Sequence, residues 1–355
     1  MKARFRGATY VAVIGLLSIA LLAAACGDDD SGSDDSAPTA TTDAATQAPT
    51  AAPTEAATEA PSATPIEAPV EAPVGHYPAE VVDLLGRTVT IEARPEAVIA
   101  ISPSAVEFVY AAGATVIGRT SSTLFPPAAL EAEDIGTAYQ PNFDLILTLS
   151  PDLIVADASI HSQPQTREAL ENFGVPVVFA GATSVDDVYV SLNLMGEVFD
   201  AFDETDAVTA DIQTAFDDAK SELDGTDATF LALIADREQN LFAAKESGFT
   251  GDIFAQLGIE NPAADQPDAG SFPGYTLLAM ELILQFDTDF LFTITPAPEP
   301  APRLSDLILQ IPPFAGLQAV RNGNVVELDV QIFLQAPGPR IGEAFTAVAD
   351  AMAAE

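Results

Sequence analysis

The stretch "FDLILTLSPDLIV", residues 143–155, has a counterpart in "MELILQFDTDFLF", residues 280–292. Each opens with one acid among apolar residues, Asp144 or Glu281, meets a polar break, and closes on an apolar run. An acid in a first turn complements the positive end of a helix. A short apolar run bounded by turn residues fits a strand buried on both faces, as parallel sheets require. Each stretch therefore reads as a short helix leading into a buried strand. Its occurrence in both halves predicts an α/β protein: two α/β lobes with mainly parallel sheets.

Outward from these anchors the alternation continues. Residues 97–101 read as a buried strand, followed by the turn Ser102-Pro103-Ser104 and a helix over 105–112 that ends at Gly113. Further strands fall at 115–118, 152–156 and 175–179, with a helix at 163–173 closed by Gly174. In the second half, strands at 229–235, 290–294 and 325–328 alternate with helices at 251–257, 277–285, 304–310 and from 339 onward. Such alternation argues for parallel strands joined by crossover helices. Between the halves, Val188, Leu192, Met195 and Phe199 share one helical face, Val208, Ile212 and Phe216 another, and no proline interrupts. Residues 185–224 are thus expected to form a single long interlobe helix between an N-terminal lobe, 77–184, and a C-terminal lobe, 225–355.

The chain begins differently. Lys2, Arg4 and Arg6 precede an uncharged, nearly all-apolar run over 11–25. A spanning helix needs about 20 apolar residues, so this run matches the core of a signal peptide, residues 1–25. It ends in Leu21-Leu22-Ala23-Ala24-Ala25-Cys26-Gly27, and Cys26 is the sole cysteine. Small residues before a cysteine are similar to the bacterial lipobox, although Ala23 stands where that pattern prefers leucine. The similarity implies an acylated Cys26 and a protein that is extracytoplasmic, lipid-anchored to the outer face of the cell membrane. The alternative is an ordinary secretory signal with an incidental cysteine. No internal disulfide can form from one cysteine. Residues 26–76, rich in Ala, Thr, Pro, Ser and acids, cannot bury enough apolar surface to offset their ordering entropy. They read as a disordered acidic spacer with an r.m.s. reach of about 40 Å.

Formal charge is −40, from 13 Lys and Arg against 53 Asp and Glu. Setting aside the three bases of the signal and the ten acids of the spacer leaves ten bases against 43 acids, a net of −33. Nucleic acid and anionic lipid surfaces call for basic patches, so neither is expected as a partner. The globular part lacks a cysteine nucleophile, a Gly-x-Ser-x-Gly elbow, a phosphate-binding glycine loop and a paired-histidine metal motif. No enzyme activity and no resident cofactor are expected, although so many acids leave a carboxylate-dependent hydrolase open. His76 and His161 are the only histidines, too few for a direct zinc or manganese receptor.

Taken in order, "VVDLLGRTVTIEARPEAVIAISPSAVEFVYAAGA" (81–114), "PNFDLILTLSPDLIVA" (141–156), "GVPVV" (174–178), "GDIFAQLGIEN" (251–261) and "MELILQFDTDFLF" (280–292) carry a family likeness. They resemble the periplasmic solute-binding proteins of iron-siderophore and cobalamin ABC transporters, the type with a rigid interlobe helix. Departures are Asp144, where that family usually has Glu, and Thr288-Asp289, where it usually has Pro-Asp.

The resemblance implies a monomeric receptor that captures an iron-siderophore complex between its lobes and delivers it to an ABC permease with its ATPase. Cobalamin or haem is the alternative ligand, and a non-transport surface lipoprotein the alternative function. It implies ligand contacts from loops at strand carboxyl ends: Ser102, Ser104, Tyr139, Arg237, Phe249, Phe272, Tyr275 and Phe333. Aromatic residues suit a bulky chelate, with lobe packing as the competing reading. Arg237 suits an anionic group or an ion pair with a neighbouring acid. Highly anionic complexes are disfavoured unless Arg237 and Lys245, or Arg303 and Arg340, gather at the cleft. Asp144 and Glu281 are implied to dock on permease arginines, one per lobe, against plain helix-dipole complementarity. His161 has a further reading as an axial ligand to haem or cobalt.

Overall fold

The computed structural model describes residues 76–270, 272–298 and 300–353. The expected signal peptide, the lipidated Cys26 and the spacer up to residue 75 lie outside the described residues.

A small hairpin, β1 (Ala79–Val82) and β2 (Thr88–Ile91), opens the described part. The N-terminal lobe then runs β3 (Val98–Ala100), α1 (Pro103–Ala111), β4 (Val116–Arg119), β5 (Glu133–Asp134), β6 (Gly136–Thr137), β7 (Gln140–Pro141), α2 (Phe143–Leu149), β8 (Leu153–Asp157), α3 (Ala158–His161), α4 (Pro164–Glu171) and β9 (Val177–Ala180). Two helices follow, α5 (Val185–Phe199) and α6 (Phe202–Glu222). The C-terminal lobe runs β10 (Phe230–Ala235), β11 (Leu241–Ala244), α7 (Phe249–Leu257), β12 (Tyr275–Leu278), α8 (Met280–Phe286), β13 (Phe290–Ile294), α9 (Leu304–Leu309), α10 (Gln318–Asn322), β14 (Val325–Glu327) and α11 (Ile341–Ala353).

The first lobe's sheet has the order β5-β4-β3-β8-β9 with every pair parallel. The second has the order β12-β11-β10-β13-β14; β10, β13 and β14 are parallel, whereas β11 and β12 are antiparallel additions at one edge. Two α/β lobes with mainly parallel sheets are as the sequence predicts.

Side chains along the central strands alternate between two helical layers, the period-2 rule for strands buried on both sides. Val98, Leu153 and Val155 face inward with Phe230, Phe292 and Ile294, while Ile99, Ile154, Leu231 and Leu291 face the outer layers. The inner faces of both sheets belong to one continuous core with α1, α5, α6, α7 and α11. The lobes therefore share apolar packing and do not meet across a wet hinge. That arrangement favours small, shear-like adjustment over wide clamping.

The two opening stretches fold alike. Residues 143–149 and 280–286 are helices, Ser150 and Asp287 cap them in the left-handed conformation (φ 53° and 42°), and 153–157 and 290–294 are buried strands. An acid stitches each strand to its neighbour. Asp152 accepts from Glu96 N and Ala97 N, and Asp289 Oδ2 accepts from Thr229 N (2.9 Å) and Thr229 Oγ1 (2.8 Å). Thr288 is buried and donates to Phe290 O.

Two expectations need correction. The single interlobe helix over 185–224 is instead α5 and α6, broken at Asp200, which takes φ 48° as the C-cap of α5. His76 and Tyr77 reach across to the α5 carbonyls of Glu197 and Val198, both at 2.8 Å, and so satisfy groups that a helix end leaves open. Gly196 makes the elbow compact: a Cβ there would lie 2.8 Å from Thr205 Oγ1 and 3.0 Å from the Phe202 ring. The helix expected over 277–285 is likewise two elements, β12 and α8, meeting at Ala279.

Candidate functional site

The helix α1 presents one face to the segment that leads into α11, and this is where the lobes meet. Ser104 Oγ donates to Pro337 O at 2.6 Å. Gly338 lies so close to the Phe108 ring that a Cβ would sit at 3.3 Å. Arg340 crosses the seam, with its guanidinium 4.5 Å from the Phe125 ring centroid and Nη1 3.9 Å from Glu107 Oε1. Its fork is held from behind by Glu343, through Nε and Nη2, each at 2.8 Å. A second link joins the lobes where Val185 N donates to Asp252 Oδ2 at 2.7 Å.

Phe125 is 41% exposed. It belongs to the loop after β4, as does exposed Leu124; Ser121 N donates to Gly136 O at 2.8 Å and ties that loop to the β6–β7 hairpin, which carries Tyr139. Tyr139 is 81% exposed. The first lobe thus offers an apolar, aromatic rim beside a cation from the second, an arrangement suited to a bulky ligand with a few polar acceptors.

Charge at the seam is close to balanced. Arg340 remains cationic, its pKa raised further by the hydrogen bonds to Glu343 against the effect of burial, and Glu343 neutralises it. Glu107 is only 5% exposed. Burial pushes its carboxyl up to about 8, with Arg340 opposing and Glu343 and Asp329 adding to the rise. At neutral pH Glu107 is therefore an uncharged acid.

The other cations are placed elsewhere. Lys245 is committed to Asp268 and Gln266 O, each at 2.6 Å. Arg237 is exposed at the turn after β10 and makes no ion pair among the described residues. Its neighbour Asp236 is occupied with Asn240 and Glu238 N.

Of the expected ligand residues, Tyr139, Arg237 and Phe272 are exposed, and Phe272 (38%) packs edge-on to Phe242 at 4.7 Å. The other five are buried. Ser102 is fully buried as the N-cap of α1, accepting from Ala105 N and donating to Asp157 Oδ2. Ser104 clasps the lobes. Phe249, Tyr275 and Phe333 belong to the core, where Thr250 Oγ1 donates to Phe333 O at 2.7 Å and lies 3.1 Å from the Tyr275 hydroxyl. Phe125 and Glu107 were not among the expected residues; the apolar pair Leu124-Phe125 before two prolines was the available signal for the first.

His161 is buried with both ring nitrogens engaged. Nδ1 accepts from Asp157 N at 3.0 Å, so the protonated Nε2 donates to Ala138 O at 2.7 Å. Burial lowers its pKa against those hydrogen bonds and the Asp157 charge. The ring anchors the hairpin of Tyr139 and has no nitrogen left for an axial bond. Among the described residues no three His, Cys, Asp or Glu side chains converge as a metal site. Asp144 and Glu281 are both exposed in the first turns of α2 and α8.

Known proteins share this design. The family profile described as periplasmic binding protein matches residues 98–332. A vitamin B12-binding protein of Pectobacterium carotovorum is 29% identical over 178 residues, 49% of this chain and 64% of that protein, so the match spans a little under two thirds of the relative. A cobalamin-binding protein of Halobacterium salinarum is 26% identical over 283 residues, 78% of this chain and 74% of that protein. Among solved structures, the petrobactin-binding protein YclQ of Bacillus subtilis aligns with a TM-score of 0.67 at 19% identity, covering 78% of this chain and 99% of its own. The heme-binding protein RhuT of Roseiflexus aligns at 0.63 and 22% identity, covering 73% and 99%. At these identities the structures speak to the fold.

Proposed function

The chain belongs to the periplasmic binding protein family, and on that premise we propose that it is the extracytoplasmic solute receptor of an ABC importer. In this reading it holds a metal-centred chelate at the lobe seam and passes it to a permease with its ATPase. The observation that carries the reading is Arg340 of one lobe stacked on half-exposed Phe125 of the other, a cation and an aromatic face meeting where the lobes meet.

Among iron-siderophore complexes, cobalamin and haem, the charge balance favours a chelate of low net charge. Arg340 is already matched by Glu343, and Lys245 is spent within its own lobe, so little positive charge is free for a polyanion. A cobalamin-type corrinoid, the ligand named for the Pectobacterium and Halobacterium relatives, fits this best. A ferric siderophore is the second reading, favoured by Arg237 just past the carboxyl end of β10, which makes no ion pair among the described residues.

Arg340→Ala is expected to weaken ligand binding by about ten- to a hundredfold, the weight of one hydrogen bond to a charged group. Arg340→Lys should recover only part of the loss, because an ammonium lacks the planar fork and stacking face. Unchanged affinity in a folded Arg340→Ala protein would move the ligand away from the seam.

The reading includes the tether: acyl chains on Cys26 hold the receptor at the membrane while the spacer gives it reach. Mass spectrometry of the native N-terminus is expected to show a diacylglyceryl cysteine. An unmodified Cys26 would remove the tether and leave the receptor.

A further inference from the structure

Arg340 uses Nε and Nη2 on Glu343, while Nη1 has no hydrogen bond among the described residues; the acid facing it, Glu107, stands at 3.9 Å, too far for one. Glu107 Oε2 is buried with no hydrogen-bond partner among the described residues. The charged groups facing this carboxyl are Arg340, Glu343 and Asp329, all from the C-terminal lobe, and the Phe125 ring covers the guanidinium from the N-terminal lobe. Across the seam, Nη1 thus faces one oxygen of the Glu107 carboxyl, Oε1, at 3.9 Å, while the other, Oε2, is the one buried without a partner.

Resting on the receptor reading and deepening it, we propose that Glu107 is a specificity-determining residue that sets how much charge Arg340 offers to a ligand. As a neutral acid it makes no claim on Nη1, and that N–H pair is free for a ligand oxygen. As a carboxylate it draws Nη1 to itself and adds a negative charge beside Glu343 and Asp329. Ionising so buried a carboxyl without hydrogen bonds is costly, which keeps the acid form through neutral pH. The only chemical change between the two states is one proton exchanged with solvent. The receptor therefore accepts a chelate with anionic oxygens while Glu107 holds its proton and rejects it once the proton is lost. A net-neutral chelate is nearly indifferent.

Two measurements on the full-length protein and its Glu107→Gln variant test this. The first is unfolding stability without ligand. Glu107 has its folded pKa raised from an ordinary 4.5 to about 8. Its stabilising contribution is complete below 4.5, falls as pH rises toward 8, and changes no further above that. The variant should thus gain on the parent between pH 5 and 8 and run parallel beyond. The second is affinity for ferric citrate as the anionic probe and cyanocobalamin as the neutral one. From pH 7 to 9 the parent should lose ferric citrate affinity by roughly tenfold, the weight of one charge-assisted hydrogen bond, while the variant should not. Cyanocobalamin affinity should hold in both.

Identical pH profiles of stability in the two proteins overturn the proposal. So does a ferric citrate affinity that falls as steeply in the variant. If the stability profiles diverge as expected but neither probe binds at any pH, the receptor reading falls and takes the ligand role of Glu107 with it. If ferric citrate binds with the same pH profile in both, the receptor stands and the Glu107 role alone falls.

Discussion

Glu281→Arg abolishes ATP-driven uptake and leaves ligand affinity within about twofold of the parent: this is the expected result if α8 docks on a permease. Glu281 lies exposed in the first turn of α8, far along the chain from the seam residues of 104–125 and 337–340. Its loss to the fold is small, since a first-turn acid contributes about 0.3–1 kcal/mol. At a docking surface the same change replaces attraction by like-charge repulsion against permease arginines, a swing of several kcal/mol that also slows encounter. Asp144 is the matched position in α2, and its shorter side chain should give a weaker effect on reversal. Uptake is measured in cells or proteoliposomes holding permease and ATPase, and affinity by titration of the isolated receptor. Surviving uptake, or a loss of affinity in its place, would remove Glu281 from docking.

Phe254→Ala is expected to cost about 3–5 kcal/mol, a large part of the 5–15 kcal/mol typical of a folded domain. Phe254 projects from α7 into the shared core and is fully buried. Its ring stacks on Phe230 at 4.0 Å with an interplanar angle of 14° and lies 4.9 Å from Phe292. Three rings from α7, β10 and β13 thus close the inner face of the second sheet, and truncating one leaves a cavity that stiff strands fill poorly. Leu309→Ala, at an exposed position of α9, should stay within about 0.5 kcal/mol. Denaturant unfolding measures both. A cost below about 1 kcal/mol at Phe254 would mean that the site collapses freely and that the sheets do not share a rigid core.

The paired units at 143–155 and 280–292 were legible in the sequence because everything that shapes them is local: an acid in the first turn, a polar break, an apolar strand. The helix ends at Gly113 and Gly174 were legible for the same reason, each adopting positive φ. The elbow between α5 and α6 was not, because Asp200 enters the left-handed region without glycine and is held there by His76 and Tyr77 from more than a hundred residues upstream. The strand β12 was hidden in the largely apolar stretch over 275–286, where only tertiary pairing separates strand from helix. At the site, sequence placed Phe249, Tyr275 and Phe333 in loops, whereas all three are buried in the core, with Thr250 Oγ1 bonded to the Phe333 carbonyl and near the Tyr275 hydroxyl. Glu107 was illegible as a seam residue because a lone acid in an apolar helix reads as solvated surface.

The proposed receptor function requires a lobe seam that takes a bulky metal chelate of low net charge. It is tested most directly by titrating the purified full-length protein with cyanocobalamin, haemin, ferric citrate and a ferric catecholate at pH 7, following tyrosine fluorescence, since the chain has no tryptophan. The expected outcome is micromolar or tighter binding of at least one chelate, with cyanocobalamin ahead of the polyanions and affinity weakened about ten- to a hundredfold in Arg340→Ala. Absence of binding across the whole panel, or preference for the most anionic chelate with Arg340→Ala unaffected, would contradict the account.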